Sequence, residues 1–324
     1  MKTFSTIIFC TFLLIVFSSC QKNIDSFIPD NLQGNADTVW RNNLSLGASV
    51  LSLKNDIKIA RFLDSFSLNN IGIVFSLGNL SLMVPPNSLI KNNGLIPNGL
   101  VQRETLLLIK KGDYIFMDMP TTSNDRLLVS GGAFFLNLKN NGDNLSVVQG
   151  NKLTVKFNAI NPFPYNRIFN ASPDSSNGFN WVLNNDTAYN KSAATINGYE
   201  IQTNKTQHVQ TAHFMDTLGI AQTTLSVKLP SNYTNNNTAC YLAFNNIECV
   251  ARLKPNVDLR SFISPLLPVN KPVTIVAISK QAGDYYLGTL QTTTSINASS
   301  PSASIYIIPV KRSLEYIKTF LNSL

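Results

Sequence analysis

The chain has 324 residues, of which 26 are Lys or Arg and 18 are Asp or Glu, for a formal charge of +8. It is 44% hydrophobic and 14% charged, apolar enough to bury cores on the scale of two domains. The basic excess does not point to nucleic acid. Lys and Arg are scattered, the densest groups are pairs such as Lys110-Lys111 and Lys311-Arg312, and no basic stripe carries interleaved aromatics. A mildly cationic surface that can lie near an anionic envelope is the reading adopted.

Lys2 gives the N-terminus a short positive start, and an apolar run, Ile7 to Phe17, follows. That run has the length of a signal-peptide core and is short for a membrane span. Phe17-Ser18-Ser19-Cys20 resembles the lipobox of bacterial lipoproteins, with Phe17 where Leu is usual. The resemblance implies a signal peptide over residues 1–19, cleavage before Cys20, and lipidation of the Cys20 thiol. Two or more acyl chains at about 0.8 kcal/mol per buried CH2 give a stable membrane anchor. Residues 20–38 are polar, with Pro29 and Gly34, and read as a flexible tether. The expected location is the bacterial cell envelope, as an outer-membrane lipoprotein facing the periplasm or the surface.

From residue 39 the pattern is strand-like, and the expected fold class is mainly β: two antiparallel β-sandwich-like domains with a short C-terminal helix. The first domain is placed at 39–165. Within it, "GIVFSLGNLSLMV" alternates around a Gly-Asn turn, and Pro85-Pro86 must end a strand because neither residue can donate to a ladder. "RETLLLIKKGDYIFM" carries two apolar runs split by Lys-Lys-Gly-Asp. Ser130-Gly131-Gly132 reads as a tight turn into the "AFFL" strand. "GGAFFLNLKNNGDNLSVV" reads as strand, Asn-Asn-Gly-Asp turn, strand, and "KLTVKF" puts Leu153, Val155 and Phe157 on one face.

Residues 166–217 are rich in Pro, Asn and Ser and read as a loop-rich interdomain segment. The second domain is placed at 218–324. It ends in "RSLEYIKTFLNSL", where Ser313 is a good N-cap, Glu315 suits the helix dipole, and Leu314, Ile317, Phe320, Leu321 and Leu324 share one face. This helix is expected to pack on the second domain.

Three stretches carry a family resemblance. Val84-Pro85-Pro86-Asn87-Ser88-Leu89 after a glycine-led hairpin resembles the β-sandwich domain of ankyrins and netrin receptors. Together with Gly112–Leu145, Arg167–Trp181 and Leu267–Ser279, the pattern is similar to a family of Bacteroidetes lipoproteins that carry such a domain. The ordered residues Thr121, Ser123, Leu128, Ser130, Gly131 and Gly132 are its more specific part. The resemblance implies fold and envelope location, and no agreed activity. In some relatives of the ankyrin-type domain a His-Phe-Ser sequence cuts its own backbone. Here the sequence is His213-Phe214-Met215, and a thioether offers no nucleophilic oxygen.

The chain offers no recognisable catalytic constellation: no Gly-x-Ser-x-Gly elbow, Walker loop or His-Glu-x-x-His. No cofactor and no metal are expected. His208 and His213 are an odd number apart and point to opposite faces of a strand, which is poor for shared ligation. If Asn245-Asn246 is a two-residue turn, Cys240 and Cys249 are diagonal neighbours on one face. A disulfide and two buried thiols are both open, with thiols as the default. Asp186-Thr187-Ala188 matches the O-glycosylation pattern of Bacteroidetes periplasmic proteins and marks Thr187; Asp37-Thr38-Val39 and Asp216-Thr217-Leu218 match as well.

The function expected is a non-catalytic binding, adhesion or scaffolding module, held to the membrane through Cys20, with a glycan or an envelope protein as partner. The rival class is an envelope hydrolase. Phe163, Tyr165, Phe169 and Trp181 are the candidate binding residues, since aromatics in a polar segment suit stacking on sugars or anchoring a protein. Their other role is interdomain core.

Overall fold

Hydrophobic alternation with no polar face left over sets the architecture. In the strand Thr238–Phe244 every residue is buried. Ala239, Tyr241 and Ala243 enter one apolar cluster, and Cys240, Leu242 and Phe244 enter another. Such a strand must be covered on both sides. The computed structural model describes residues 38–68, 73–173, 179–295 and 304–324. It shows a mainly β protein of several antiparallel sheets with three helices among the described residues: α1 (Ser49–Ile57), α2 (Lys111–Phe116) and α3 (Leu314–Asn322).

The first half is a sandwich. Its outer sheet runs from edge to edge Lys191–Thr195, Gly198–Thr203, Leu153–Asn158, Leu80–Val84, Ile73–Leu77. Its inner sheet runs Phe62–Ser67, Leu100–Leu108, Arg126–Asn140, Gln207–Phe214, Arg167–Pro173, Phe179–Leu183. Phe134, Leu136 and Leu138 of the inner sheet meet Leu82, Val155 and Ile201 of the outer one. Ala133 and Phe135 point the other way, toward the helices and the second half.

In the second half a central sheet runs Val250–Arg252, Thr238–Phe244, Pro272–Gln281, Asp284–Thr293, Val310–Arg312. A smaller cap sheet runs Lys254–Asn256, Ser261–Ile263, Ser226–Lys228, Ser304–Tyr306. Phe262 and Val227 of the cap close over Leu242 and Ile275 of the central sheet. Three apolar layers therefore succeed one another: between outer and inner sheets, between inner and central sheets with the helices, and between central and cap sheets.

The expected loop-rich segment 166–217 is not a linker. It supplies five strands, two of them in the outer sheet and three in the inner sheet. Its apolar residues Ile168, Phe169, Trp181, Ile201 and Val209 are buried, and so are some of its polar ones, Asn166, Asn190, Thr203 and Thr211 among them. The halves also share main-chain bonds: Thr121 N donates to Val250 O, and Ser130 N to Glu248 O, both at 2.8 Å. The described residues form one compact unit.

Four local expectations are corrected. The run after Lys-Lys-Gly-Asp is helix α2 and not a strand, because Asp113 Oδ2 accepts from both Ile109 N and Lys110 N at 2.8 Å and starts a turn. Ser130-Gly131-Gly132 is not a turn. It lies inside the 15-residue strand Arg126–Asn140 as a bulge, where Ser130 faces Ala212, Gly132 faces Thr211 and Gly131 is the extra residue. Helix α3, capped by Ser313 accepting from Tyr316 N as expected, packs on α2 in the shared core and not on the second half alone. The loop after Phe244 has four residues, not two, since Phe244 N donates to Cys249 O and Lys111 Nζ donates to the carbonyls of Phe244 and Asn245, all at 3.0 Å.

Candidate functional site

The four candidate aromatics divide into two pairs. Phe169 and Trp181 are fully buried in the layer between inner and central sheets. They are core, packed edge-on against Phe214 and Phe179 respectively. Phe163 and Tyr165 are 40% and 76% exposed and stack edge-to-face with centroids 5.5 Å apart. Only this second pair can meet a partner.

A buried relay holds the loop that carries them. It leaves the outer sheet after Asn158 and enters the inner sheet at Arg167. Phe163 N donates to Tyr199 Oη at 2.6 Å, and Asn166 Nδ2 donates to the same oxygen at 2.9 Å. His213 Nδ1 lies 2.7 Å from Asn166 Oδ1, which can only accept, so Nδ1 carries the proton. The His213 ring lies 4.1 Å from that of Phe163. Burial lowers the His213 imidazole below its ordinary range and raises the Tyr199 hydroxyl above its own, so both are neutral near pH 7. Gly131 makes room, because a Cβ there would lie 2.5 Å from Asn166 Nδ2 and 2.6 Å from the Tyr199 ring.

Two residues that sequence reasoning missed extend this surface. Ile160 is 89% exposed in the same loop, and Ile196 is 97% exposed at the tip of the hairpin joining Lys191–Thr195 to Gly198–Thr203. Ala159 N donates to Asn197 O at 3.0 Å, which brings the two isoleucines' segments together. Isoleucine beside Asn or Pro in a turn was the available signal. Next to them the outer sheet carries a cleft of about 260 Å³.

Burial separates the remaining predicted sites among the described residues. Cys240 and Cys249 are free, fully buried thiols. With Leu242 opposite Ala251 and Phe244 bonded to Cys249, Cys240 falls opposite Leu253, so the cysteines sit four residues apart along the ladder, about 13 Å, beyond disulfide reach. Burial raises both thiols and pushes Cys249 up to about 12. His208 and His213 do face opposite ways, His208 onto Phe135 and Phe179, His213 onto Phe163. Ser130 Oγ is buried and engaged by Tyr114 Oη at 2.6 Å, Gln210 Nε2 at 2.9 Å and Gly132 N at 3.0 Å, a packing node closed to solvent. Thr187 is exposed in a turn and accessible to modification. Cys20 lies outside the described residues. Among the described residues no cluster of three or more His, Cys, Asp or Glu could hold a metal, and no helix is long and apolar enough to cross a membrane.

No family model, curated protein or solved structure matches the chain.

Proposed function

We propose that this chain is a lipid-anchored protein of the bacterial cell envelope, an outer-membrane lipoprotein of the Bacteroidetes type, acting as a non-catalytic binding, adhesion or scaffolding module. The observation that carries the reading is the loop 160–165. It exposes Ile160, Phe163 and Tyr165, while its backbone is pinned to the buried Tyr199. An exposed apolar group on a fixed backbone loses little entropy on binding, and aromatic anchors contribute most of the energy of many interfaces.

The point where the chain enters the fold agrees with this. Trp40 packs on Phe262 of the cap sheet with ring centroids 5.0 Å apart, and Arg41 exchanges two main-chain hydrogen bonds with the side chain of Asn235. A tether ending at residue 38 therefore joins the fold at the cap sheet. The loop 160–165 joins the outer sheet to the inner one, beyond the central sheet that the cap covers. In this reading, one side is fastened and the other is presented.

The anchor is tested by membrane fractionation of the native host, with Cys20→Ala expected to release the protein from the membrane fraction. The binding surface is tested by glycan-array and pull-down screens comparing the parent chain with a Phe163→Ser/Tyr165→Ala variant. Absence of any ligand in both screens sinks the binding reading.

A further inference from the structure

The exposed face of the outer sheet orders its side chains in rows across the strands. One row reads Ala193, Glu200, Lys156, Ser81, Ser76. The next reads Thr195, Gly198, Asn158 and ends at the Gly78-Asn79 turn, where Asn158 N donates to Asn79 O at 3.3 Å. The second row has no side chain at Gly198 or Gly78. Only glycine fits at 198, because a Cβ there would lie 2.0 Å from Phe157 O. The missing side chains leave the 260 Å³ cleft, a trough lined by Ser76, Asn79, Ser81, Lys156, Asn158 and Thr195.

The lining has a definite chemistry. Lys156 Nζ lies 2.8 Å from Glu200 Oε2, so its charge is already matched. The side chains of Ser76, Asn79, Ser81, Asn158 and Thr195 form no hydrogen bond with other described residues. Three hydroxyls and two amides thus face one space with both donors and acceptors unspent. A trough without net charge selects neither an anion nor a cation. It suits a ligand that donates and accepts at many points, which is what a sugar ring does. The volume lies just under the roughly 300 Å³ at which pockets begin to enclose drug-sized ligands, room for one ring and not for an extended ligand. Ile196 and Ile160 follow Thr195 and Asn158 along the chain and offer apolar contact to the C–H face of a sugar.

We propose that this trough is a subsite for one ring of a neutral oligosaccharide, whose chain continues over Ile196 and Ile160 toward Phe163 and Tyr165. The inference rests on the reading of the protein as a binding module and names the ligand class of that surface.

The test uses the full chain on an array of neutral hexose and N-acetylhexosamine oligomers, with sialylated and sulfated oligomers as charged controls, followed by titration calorimetry with the best neutral hit. Asn158→Ala removes lining contacts, and Ser76→Tyr fills the trough from an exposed position. Leu95→Ala, on a different exposed loop, is the control. Melting curves verify that all three variants fold. The expected result is a neutral ligand whose affinity falls tenfold or more in both trough variants and is unchanged in the control. A neutral ligand indifferent to both trough variants overturns the subsite and leaves the binding module standing. So does binding of charged oligomers alone, or capture of a protein with no sugar bound. If neither glycan nor protein binds, both readings fall.

Discussion

Gly112 of α2 lies directly against the main chain of Leu321 in α3: a Cβ built on Gly112 would fall 1.9 Å from the Leu321 carbonyl oxygen. That oxygen is backbone and cannot swing aside, so Gly112→Ala must push the helices apart. Leu321 and Ile317 would be drawn out of the layer they share with Tyr114, Tyr241 and Val276. The expected cost is about 1–3 kcal/mol, as for overpacked cores, seen as a lower denaturant midpoint at constant slope. An unchanged midpoint would mean that α3 does not seal the core as described.

Asp118 ties three elements together. Its carboxylate lies 2.6 Å from Lys54 Nζ of α1 and 3.0 Å from Arg252 Nη1 of the central sheet, and accepts from Tyr241 Oη at 2.7 Å. Burial and the neighbouring Arg252 hold the Lys54 ammonium below its usual range. Removing the carboxylate leaves two largely buried cations facing each other. Asp118→Ala should cost about 3–5 kcal/mol, and Tyr241→Phe, which deletes one bond to a charged group, about 1.5–3 kcal/mol. Urea melts of the two variants rank them, and equal losses would argue against the ionic node.

His208 makes stability depend on mild acid. Burial against Phe135 and Phe179 lowers its imidazole from 6.5 to about 4, with Arg61 and Lys58 lowering it further and Glu104 opposing them. As the pH falls through 6.5 the unfolded chain takes up a proton that the folded chain refuses until about pH 4. Stability contributed by neutral His208 is thus whole above pH 6.5 and declines toward pH 4, by on the order of 3 kcal/mol. Glu104, held below its usual range by its hydrogen bond to Arg61, adds a loss at lower pH. Denaturant midpoints at pH 7, 6, 5 and 4 should fall steadily in the parent and much less between pH 6.5 and 4.5 in His208→Phe. Identical slopes would mean that His208 is protonated in the fold.

The thiols should behave as buried hydrophobes. Peptide mapping of non-reduced protein is expected to give the Cys240 and Cys249 peptides unlinked, alkylated in denaturant and untouched in native buffer. A linked pair would require the strand register of Thr238–Phe244 against Val250–Arg252 to be different.

Period-two patterns made individual strands readable. Leu153, Val155 and Phe157 face the core as their spacing requires, and Lys156 and Asn158 face out. Strand order was not readable, because the outer sheet joins residues as distant as Leu80 and Phe157, and then Phe157 and Tyr199, through side-by-side pairing that no local pattern records. This is why the row Thr195, Gly198, Asn158 could not be seen in the chain, although each residue's facing could. The same limit misplaced Phe169 and Trp181. Their Asn- and Ser-rich surroundings look like a loop, but the inner sheet is covered on both faces, so Ile168 and Phe169, neighbours of opposite direction, are both buried. The two buried thiols at Cys240 and Cys249 were legible, but their diagonal placement was not, because the turn length is set by Lys111, more than a hundred residues away.

That misplacement changes how the binding surface must be probed. Trp181→Ala would open a cavity in the shared core and cost about 3–5 kcal/mol, so any binding it lost would report unfolding. Tyr165 is 76% exposed and contacts Phe163 at the surface, so Tyr165→Ala should change stability by no more than about 0.5 kcal/mol. Tyr199→Phe lies between these extremes. It removes the oxygen that Phe163 N and Asn166 Nδ2 share and leaves two donors unpaired, the Asn166 amide buried and the Phe163 N–H partly so, for about 1–3 kcal/mol of stability. If the surface works because its loop is held in place, Tyr199→Phe should weaken ligand binding even though Tyr165 and Phe163 are intact. Calorimetry on these variants against one ligand separates the cases. Loss with Tyr165→Ala at unchanged melting temperature identifies contact, and loss with Tyr199→Phe identifies preorganisation. Retention in both would remove the loop 160–165 from the binding surface.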